Sequence, residues 1–574
     1  MRGGIPISIE QAGRGFTRWD AIAILLTLGI LVFLAEASRH LLQPLSELQR
    51  APVSLAPGNL PEYAARTTLR MLVALALSLV FTFTYATAAA KSRRAEALLI
   101  PLLDILQSVP ILGFISVTVV FFMSLAPGRV LGAEFAAVFA IFTSQAWNMA
   151  FSFYQSLRTV PEELVEASRS FRLSNWMHFW RVEVPFATPQ LIWNMMVSMS
   201  GSWFFVVASE AISVGRTSVT LPGIGAYLAL AIEQKNLAAV GWAIGAMLVV
   251  ILLYDQLLFR PLVAWADRFR VEQQAGVAAP QSFVLDMLRR SRIVARLVAP
   301  FSQAWLRSYQ WPIFSGEARG GAAGARARWS DRVWAGALMA IAAVALWQVG
   351  RFALANLSLA EAARAAFFGL LTLTRVVVLI ALASLIWVPV GIAVGTRPRL
   401  AQFIQPVAQF LAAFPANVLF PVVVVGIVAF KLSPDIWLSP LMILGTQWYI
   451  LFNVVAGAMA IPSEMRDIGT NLQVRGWLWW KKIALPAVFP YFVTGAITAS
   501  GGSWNASIVA EVASWGDTHL QAKGLGAYIA QATEAGDMHR VVLGIAVMSF
   551  YVVLVNRLFW RPLYWYAERK FRLG

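Results

Sequence analysis

Apolar runs about as long as a bilayer is thick, roughly 20 residues each, recur along the whole chain, and they constrain the fold more than any other feature. In lipid the backbone can satisfy its own polar groups only in helices or closed barrels. Runs this long, without alternation, mean helices. Composition agrees: 59% of residues are hydrophobic and 13% charged, whereas soluble proteins are roughly 45–50% apolar. The runs fall near 19–37, 68–90, 98–124, 131–156, 190–213 and 238–259, then near 333–353, 367–395, 402–430, 436–460, 491–513 and 538–559. The expected fold class is an all-α integral membrane protein with about 12 transmembrane helices. The first run ends in Ala35-Glu36-Ala37, which also suits a signal-peptidase site. An uncleaved first helix is the preferred reading, because a similar run, Val333 to Ala353, opens the second half, where no signal peptide can sit.

The chain is written twice. GSWFFVVASE (201–210) returns as GSWNASIVAE (502–511), 301 residues on. VPEELVEASRSFRLSNWMHFWRVEVPFATP pairs with IPSEMRDIGTNLQVRGWLWWKKIALPAVFP, LPGIGAYLALAIE with AKGLGAYIAQATE, and FRPLVAWADR with WRPLYWYAER. Further upstream Arg70 pairs with Arg375, Pro101 with Pro406 and Pro110 with Pro415. Collinear matches of this kind mean internal duplication. Six helices per half is an even number, so the repeats are expected to be parallel, related by an axis along the membrane normal. The expected organisation is an N-terminal tail, first helix and outer loop (1–65), a first repeat (66–270), a basic cytoplasmic linker (271–331), a second first-helix and outer loop (332–365), and a second repeat (366–574). Within the linker, GEARGGAAGARARW reads as a flexible tether. LDMLRRSRIVARLVAPFSQAWLRSYQW is basic and partly amphipathic, consistent either with lying on the inner membrane face or with a plain linker kept inside by its arginines.

The net charge of +17 does not point to nucleic acid, because of where it falls. With a cytoplasmic N-terminus, 32 of the 46 Lys and Arg residues lie on the inner side, as the positive-inside rule requires. Both termini are then cytoplasmic, in a multi-pass inner-membrane protein. The chain has no cysteine, and its four histidines are scattered, so no metal-ligand set is expected.

The loop between the fourth and fifth helices of each half is the most informative segment. Acids open it, Glu162, Glu163 and Glu166 in the first half and Glu464 and Asp467 in the second, where they suit the first turn of a helix. Pro161 and Pro462 suit a helix start. Trp176, Phe179 and Trp180, matched by Trp477, Trp479 and Trp480, follow. Each half thus presents a short helix with apolar side chains available to a partner's groove. Here the chain resembles the membrane permease subunit of ATP-binding-cassette importers with the type I fold, and more narrowly the nitrate/sulfonate/taurine class. That family's loop carries a Glu-Ala-Ala motif, a glycine, then Ile-x-Leu-Pro. Glu166-Ala167-Ser168 and Val182-Glu183-Val184-Pro185 match it, and Asp467-Ile468-Gly469 and Ile483-Ala484-Leu485-Pro486 match it more weakly. Arg172 and Gln473 stand where the motif has glycine. The resemblance implies that these loops are coupling helices docking on two cytoplasmic ATP-binding subunits, and that an extracytoplasmic solute-binding protein delivers substrate. Most relatives carry one such unit per chain; here the two are fused. The chain contains no G-x-x-x-x-G-K-[S/T] phosphate cradle, so ATP and magnesium are expected on the partner and not on this chain.

The fifth helix of each half is the candidate wall of the translocation path, through Ser202, Trp203 and Glu210 and through Ser503, Trp504 and Glu511, with Arg70 and Arg375 nearby. The small residues favour close helix approach. An acid in a membrane helix faces the bundle interior or water, so Glu210 and Glu511 either belong to the path or pair with Arg70 and Arg375. The function expected is movement of a small, anionic solute of the nitrate, sulfonate, taurine or bicarbonate kind by alternating access. The alternative is an ion-coupled secondary transporter using Asp104, Glu210 and Glu511.

Overall fold

A computed structural model of the chain describes residues 53–108, 111–214, 217–269, 282–309, 358–459 and 471–571, together with 461, 465, 468, 469 and scattered positions within 19–32 and 334–351. The first half opens with α1 (Leu60–Phe81), started by a proline in its first turn and prolonged by a π-helical turn (Thr82–Ala86) to Lys91. Then come α2 (Arg93–Ser108), α3 (Ile111–Leu125), α4 (Val130–Arg158), α5 (Glu162–Ser170) and α6 (Val184–Glu210). A hairpin of β1 (Ala211–Val214) and β2 (Thr217–Thr220) leads to α7 (Ile224–Glu233) and α8 (Leu237–Tyr254). Two helices follow in the linker, α9 (Phe283–Arg290) and α10 (Arg292–Ser308), each capped by a serine hydroxyl that accepts a first-turn N–H. The second half repeats the order: α11 (Leu359–Gly395), α12 (Pro398–Ala413), α13 (Phe420–Ala429), α14 (Gln447–Met459), α15 (Leu485–Ala510), β3 (Val512–Trp515), β4 (Thr518–Gln521), α16 (Leu525–Ala535) and α17 (Met538–Val555). π-turns precede α6 (Phe179–Glu183) and α15 (Trp480–Ala484) at matched positions, and follow α8 and α17 likewise.

Among the described residues seven helical stretches are long and apolar enough to cross a membrane, and eight if Pro434–Leu444 and α14, bent by 43°, form one span. The molecule is an all-α membrane protein with two small hairpins, and these eight spans coincide with eight of the twelve expected. Two expectations need correction. The expected helix near 402–430 is two shorter helices, α12 and α13, and the one near 98–124 is described as α2 and α3 on either side of residues 109–110. Pro415 sits at the break between α12 and α13; proline removes a ladder donor and clashes with the preceding turn. The fifth helices stop at Glu210 and Ala510, not near 213 and 513, because β-branched residues beyond them pair as antiparallel hairpins. Gly516, at φ +56°, makes the second hairpin's tight turn. In the linker, the basic amphipathic stretch is helical over Phe283–Arg290 and Arg292–Ser308. The expected first helix of each half is described only at scattered positions, which are helical, and the tether GEARGGAAGARARW lies outside the described residues.

Each half has its own core. Met71, Ile141, Met149, Phe153, Trp203 and Tyr227 are among the buried residues of the first. Val376, Ile450, Val454, Trp504, Ile529 and Met548 are among those of the second. The expected third helices are exchanged between them. Ile111 and Val119 of α3 belong to the second core, and Val418, beside the break between α12 and α13, to the first. α3 packs on α15 and α17, and α12 on α6 and α8. The halves therefore interlock through these helices.

Candidate functional site

The two loops sit at one end of the bundle. In α5, Glu163, Glu166 and Ala167 are exposed, whereas Ser168 is buried and donates its hydroxyl to the Val165 carbonyl at 2.7 Å. The helix stops in a Schellman-type turn: Leu173 N–H reaches Ser168 O at 3.1 Å, and Arg172 sits at φ +47°. The second loop repeats it, with Val474 N–H on Gly469 O at 2.8 Å and Gln473 at φ +53°. Both positions where the family motif has glycine are thus left-handed. A residue with a Cβ pays about 1–2 kcal/mol there, which explains the motif glycine and shows that Arg172 and Gln473 keep its backbone geometry. Gly469 is buried, and a Cβ on it would meet Ile483 Cδ1 at 2.8 Å. Glu464 and Asp467 lie outside the described residues.

Around these turns large apolar side chains stand in the open. Phe171 is 78% exposed, and its counterpart Leu472 is 70% exposed. The first loop is also tied to the rest of its half. Glu183, in the π-turn leading into α6, pairs with Lys91 at the end of α1 and lies 3.2 Å from His178 Nε2. Ala484 replaces it in the second half.

At the opposite end of α6 and α15 lies a second repeated construction (Glu210 and Glu511 are its centres). Glu210 is fully buried and accepts three hydrogen bonds: from Thr67 Oγ1 at 2.7 Å, Arg70 at 2.7 Å and the Gly225 N–H at 2.6 Å. Thr67 in turn accepts the Ile224 N–H at 3.0 Å. Arg70 forks onto both oxygens of Glu134 at 2.6 Å each and donates to the Pro222 carbonyl at 3.0 Å. Glu511 repeats the pattern with Thr372 at 2.8 Å, Arg375 at 3.0 Å and the Ala527 N–H at 3.1 Å. Leu525 N–H closes on Thr372 at 2.9 Å. Arg375 reaches only one oxygen of Asp435, at 3.5 Å. The carboxylates sit against the N-termini of α7 and α16, where helix amides and dipole favour negative charge. Gly223 and Gly524 are required by this approach, because a Cβ on either would fall on the Glu210 or Glu511 carboxylate.

Of the two roles open to Glu210 and Glu511, the ion pair with Arg70 and Arg375 is the one seen. Ser202 hydrogen-bonds Ser144 across to α4 at 2.8 Å, and Ser503 bonds Thr446 at 3.0 Å. Trp203 packs edge-on against Tyr254, and Trp504 stacks on Tyr551. Ser202, Trp203, Glu210, Ser503, Trp504, Glu511 and Arg70 are buried in this conformation, and the Arg375 side chain is 14% exposed. Sequence reasoning missed Thr67, Thr372, Glu134, Asp435 and the glycine cradle. The available signal was Glu134 itself, an acid inside an apolar run. Asp104 falls in α2, but its side chain lies outside what is described.

A family model described as binding-protein-dependent transport system inner membrane component matches residues 80–260 and again 386–561. The bicarbonate transport system permease protein CmpB of Synechococcus elongatus is 28% identical over 186 residues, 32% of this chain and 64% of that protein. The nitrate import permease protein NrtB of Leptolyngbya laminosa is 28% identical over 187 residues, 33% of this chain and 63% of that protein. The glycine betaine/carnitine transport permease protein GbuB of Listeria monocytogenes is 27% identical over 170 residues, 29% of this chain and 54% of that protein. The chain thus spans a little under two thirds of the length of the first two relatives. The two family matches, each falling within one sequence repeat, together cover more than half of the chain, and the protein belongs to the family of binding-protein-dependent transport system inner membrane components, with the family unit present twice.

Proposed function

We propose that this chain is the complete pair of translocation units of an ATP-driven importer, fused into one polypeptide in a bacterial inner membrane with both termini cytoplasmic. The observation that carries the reading is the duplicated α5-type loop, a short helix ending in a left-handed turn beside exposed Phe171 in one half and Leu472 in the other. Two cytoplasmic ATP-binding subunits, holding ATP and magnesium, dock there. A solute-binding protein docks at the opposite end, by the hairpins. Closure of the ATPases moves the loops, and the continuous run from loop through π-turn into α6 and α15 carries the motion across the membrane. The halves then rock about the interlocked third helices and alternate the access of a path between them. A small anion of the bicarbonate or nitrate kind is the proposed solute, by analogy with what the names of CmpB and NrtB say of those proteins. Ion coupling is the poorer reading, because Glu210 and Glu511 are committed to arginines.

The test is purification of the tagged chain in mild detergent with mass spectrometry of what accompanies it. A phosphate-loop ATPase at two copies per chain is expected, and uptake in vesicles is expected to need ATP inside. Recovery of the chain alone under crosslinking, with uptake driven by an ion gradient, would overturn the proposal.

A further inference from the structure

The linker helix α10 has two working faces. One packs on the first cytoplasmic loop. Trp305 meets Trp180 edge-on at 4.6 Å and Trp176 at 6.0 Å, and Ser308 accepts the Trp176 indole N–H at 3.1 Å. The Arg181 guanidinium lies 5.0 Å from the Tyr309 ring. Trp180 also packs against Phe83 of the α1 π-turn at 5.8 Å. This places α10 at the level where α1 leaves the bundle toward Lys91, Arg93 and Arg94. The other face is open. Leu297, Pro300 and Ala304 follow one another at helical spacing and are exposed, Leu297 by 67%, with exposed Arg296 and Arg307 beside them. Exposed Arg289 and Arg290 end α9, and residues 283–309 hold five arginines against one acid, Asp286.

A helix with an apolar stripe flanked by arginines, at the end of a membrane bundle, has the character of one lying in the headgroup region of an anionic leaflet. We propose that α9 and α10 are an anionic-lipid contact that ties the first cytoplasmic loop, and not the second, to the composition of the leaflet. The asymmetry is visible at matched positions. Trp176 is half-buried under α10, whereas its counterpart Trp477 is 73% exposed, and at the same 301-residue offset Trp480 falls opposite Phe179 and Lys481 opposite Trp180. A lipid-held α10 therefore fixes the aromatic base of one loop only.

The chain has no cysteine, so Leu297→Cys gives a single labelling site for a polarity-sensitive fluorophore. The full chain is placed in nanodiscs of phosphatidylcholine with or without phosphatidylglycerol. The expected result is a blue shift with phosphatidylglycerol that weakens at high salt. It disappears when Arg289, Arg290, Arg296 and Arg307 are all changed to Gln, and survives when the same four become Lys. A label at Phe171→Cys is expected not to respond. A Leu297 label reporting water in both membranes would overturn the proposal, as would a lipid-dependent shift that outlasts the Gln changes. So would a shift that appears in phosphatidylcholine only on adding a co-purified protein, since the occupant would then be that protein.

Discussion

Replacing Arg70 with Gln tests the clamp where its geometry is most demanding. The Arg70 side chain is 3% exposed and uses Nε, NH1 and NH2 on Glu134, Glu210 and the Pro222 carbonyl, all at 2.6–3.0 Å. Its loss strands Glu210, fully buried, and Glu134, 12% exposed. Removing one partner of a buried ion pair costs about 3–5 kcal/mol, because an uncompensated charge stays behind. Arg375 is bound more loosely, at 3.0 and 3.5 Å, and its partner Asp435 is 47% exposed, so water can take over its solvation. Glu511 is also left buried but keeps its bonds from Thr372 and Ala527, so Arg375→Gln is expected to cost about 1.5–3 kcal/mol, the range of hydrogen bonds to charged groups. Reversible unfolding in mixed micelles, followed by tryptophan fluorescence, measures both. The triple variant Arg70→Gln, Glu134→Gln, Glu210→Gln removes every charge together and is expected to recover much of the Arg70→Gln loss. Equal costs for Arg70→Gln and Arg375→Gln, or a triple variant no better than the single one, would refute the clamp.

The glycine cradle predicts that Gly225→Ala, whose Cβ would lie 2.7 Å from the Val207 backbone, lowers the yield of folded protein by size-exclusion profile. Gly241→Ala, in a helix with open space around it, is expected to gain about 0.5–1 kcal/mol. Arg172→Gly and Gln473→Gly relieve a left-handed strain of about 1–2 kcal/mol each and are expected to leave ATPase docking intact, whereas Arg172→Val weakens it in pull-down. Glu166→Lys combined with Asp467→Lys is expected to abolish both ATPase association and uptake; survival of both activities would sink the coupling role. Across the halves, Lys235 bonds Asp517 at 2.8 Å and holds its carboxyl below the ordinary aspartate range. A depressed pKa means the pair is intact at neutral pH and is lost only as pH falls through that lowered value. Lys235→Met should raise the Asp517 titration, read by carbon-detected NMR, and leave thermal stability unchanged, because the site is exposed.

Much of this architecture was legible in the residues. Eight bilayer-length helices follow from hydropathy, since lipid forces any long apolar run to bond within itself. The duplication follows from collinear matches, and the loop helix from its proline and first-turn acids. The hairpins were not legible, because Ile212, Val214 and Val219 continue the apolar run of α6 and only pairing with another strand distinguishes them from helix. The clamp was half legible. Arg70 and Glu210 recur with Arg375 and Glu511, but neither spacing nor composition shows that Glu134, 64 residues from Arg70, shares the guanidinium.

What the sequence determines by itself is local or periodic: helix lengths, where proline can break them, two repeats, and no phosphate cradle. What only the tertiary structure decides is which charges meet, which faces are covered, and where the halves cross. Arg172 and Gln473 mark that boundary. As residues they depart from a glycine motif, yet the turn geometry each keeps is glycine's. The hydrogen bonds that close the turn, from Leu173 to Ser168 and from Val474 to Gly469, hold a backbone conformation that the side chain alone would not choose.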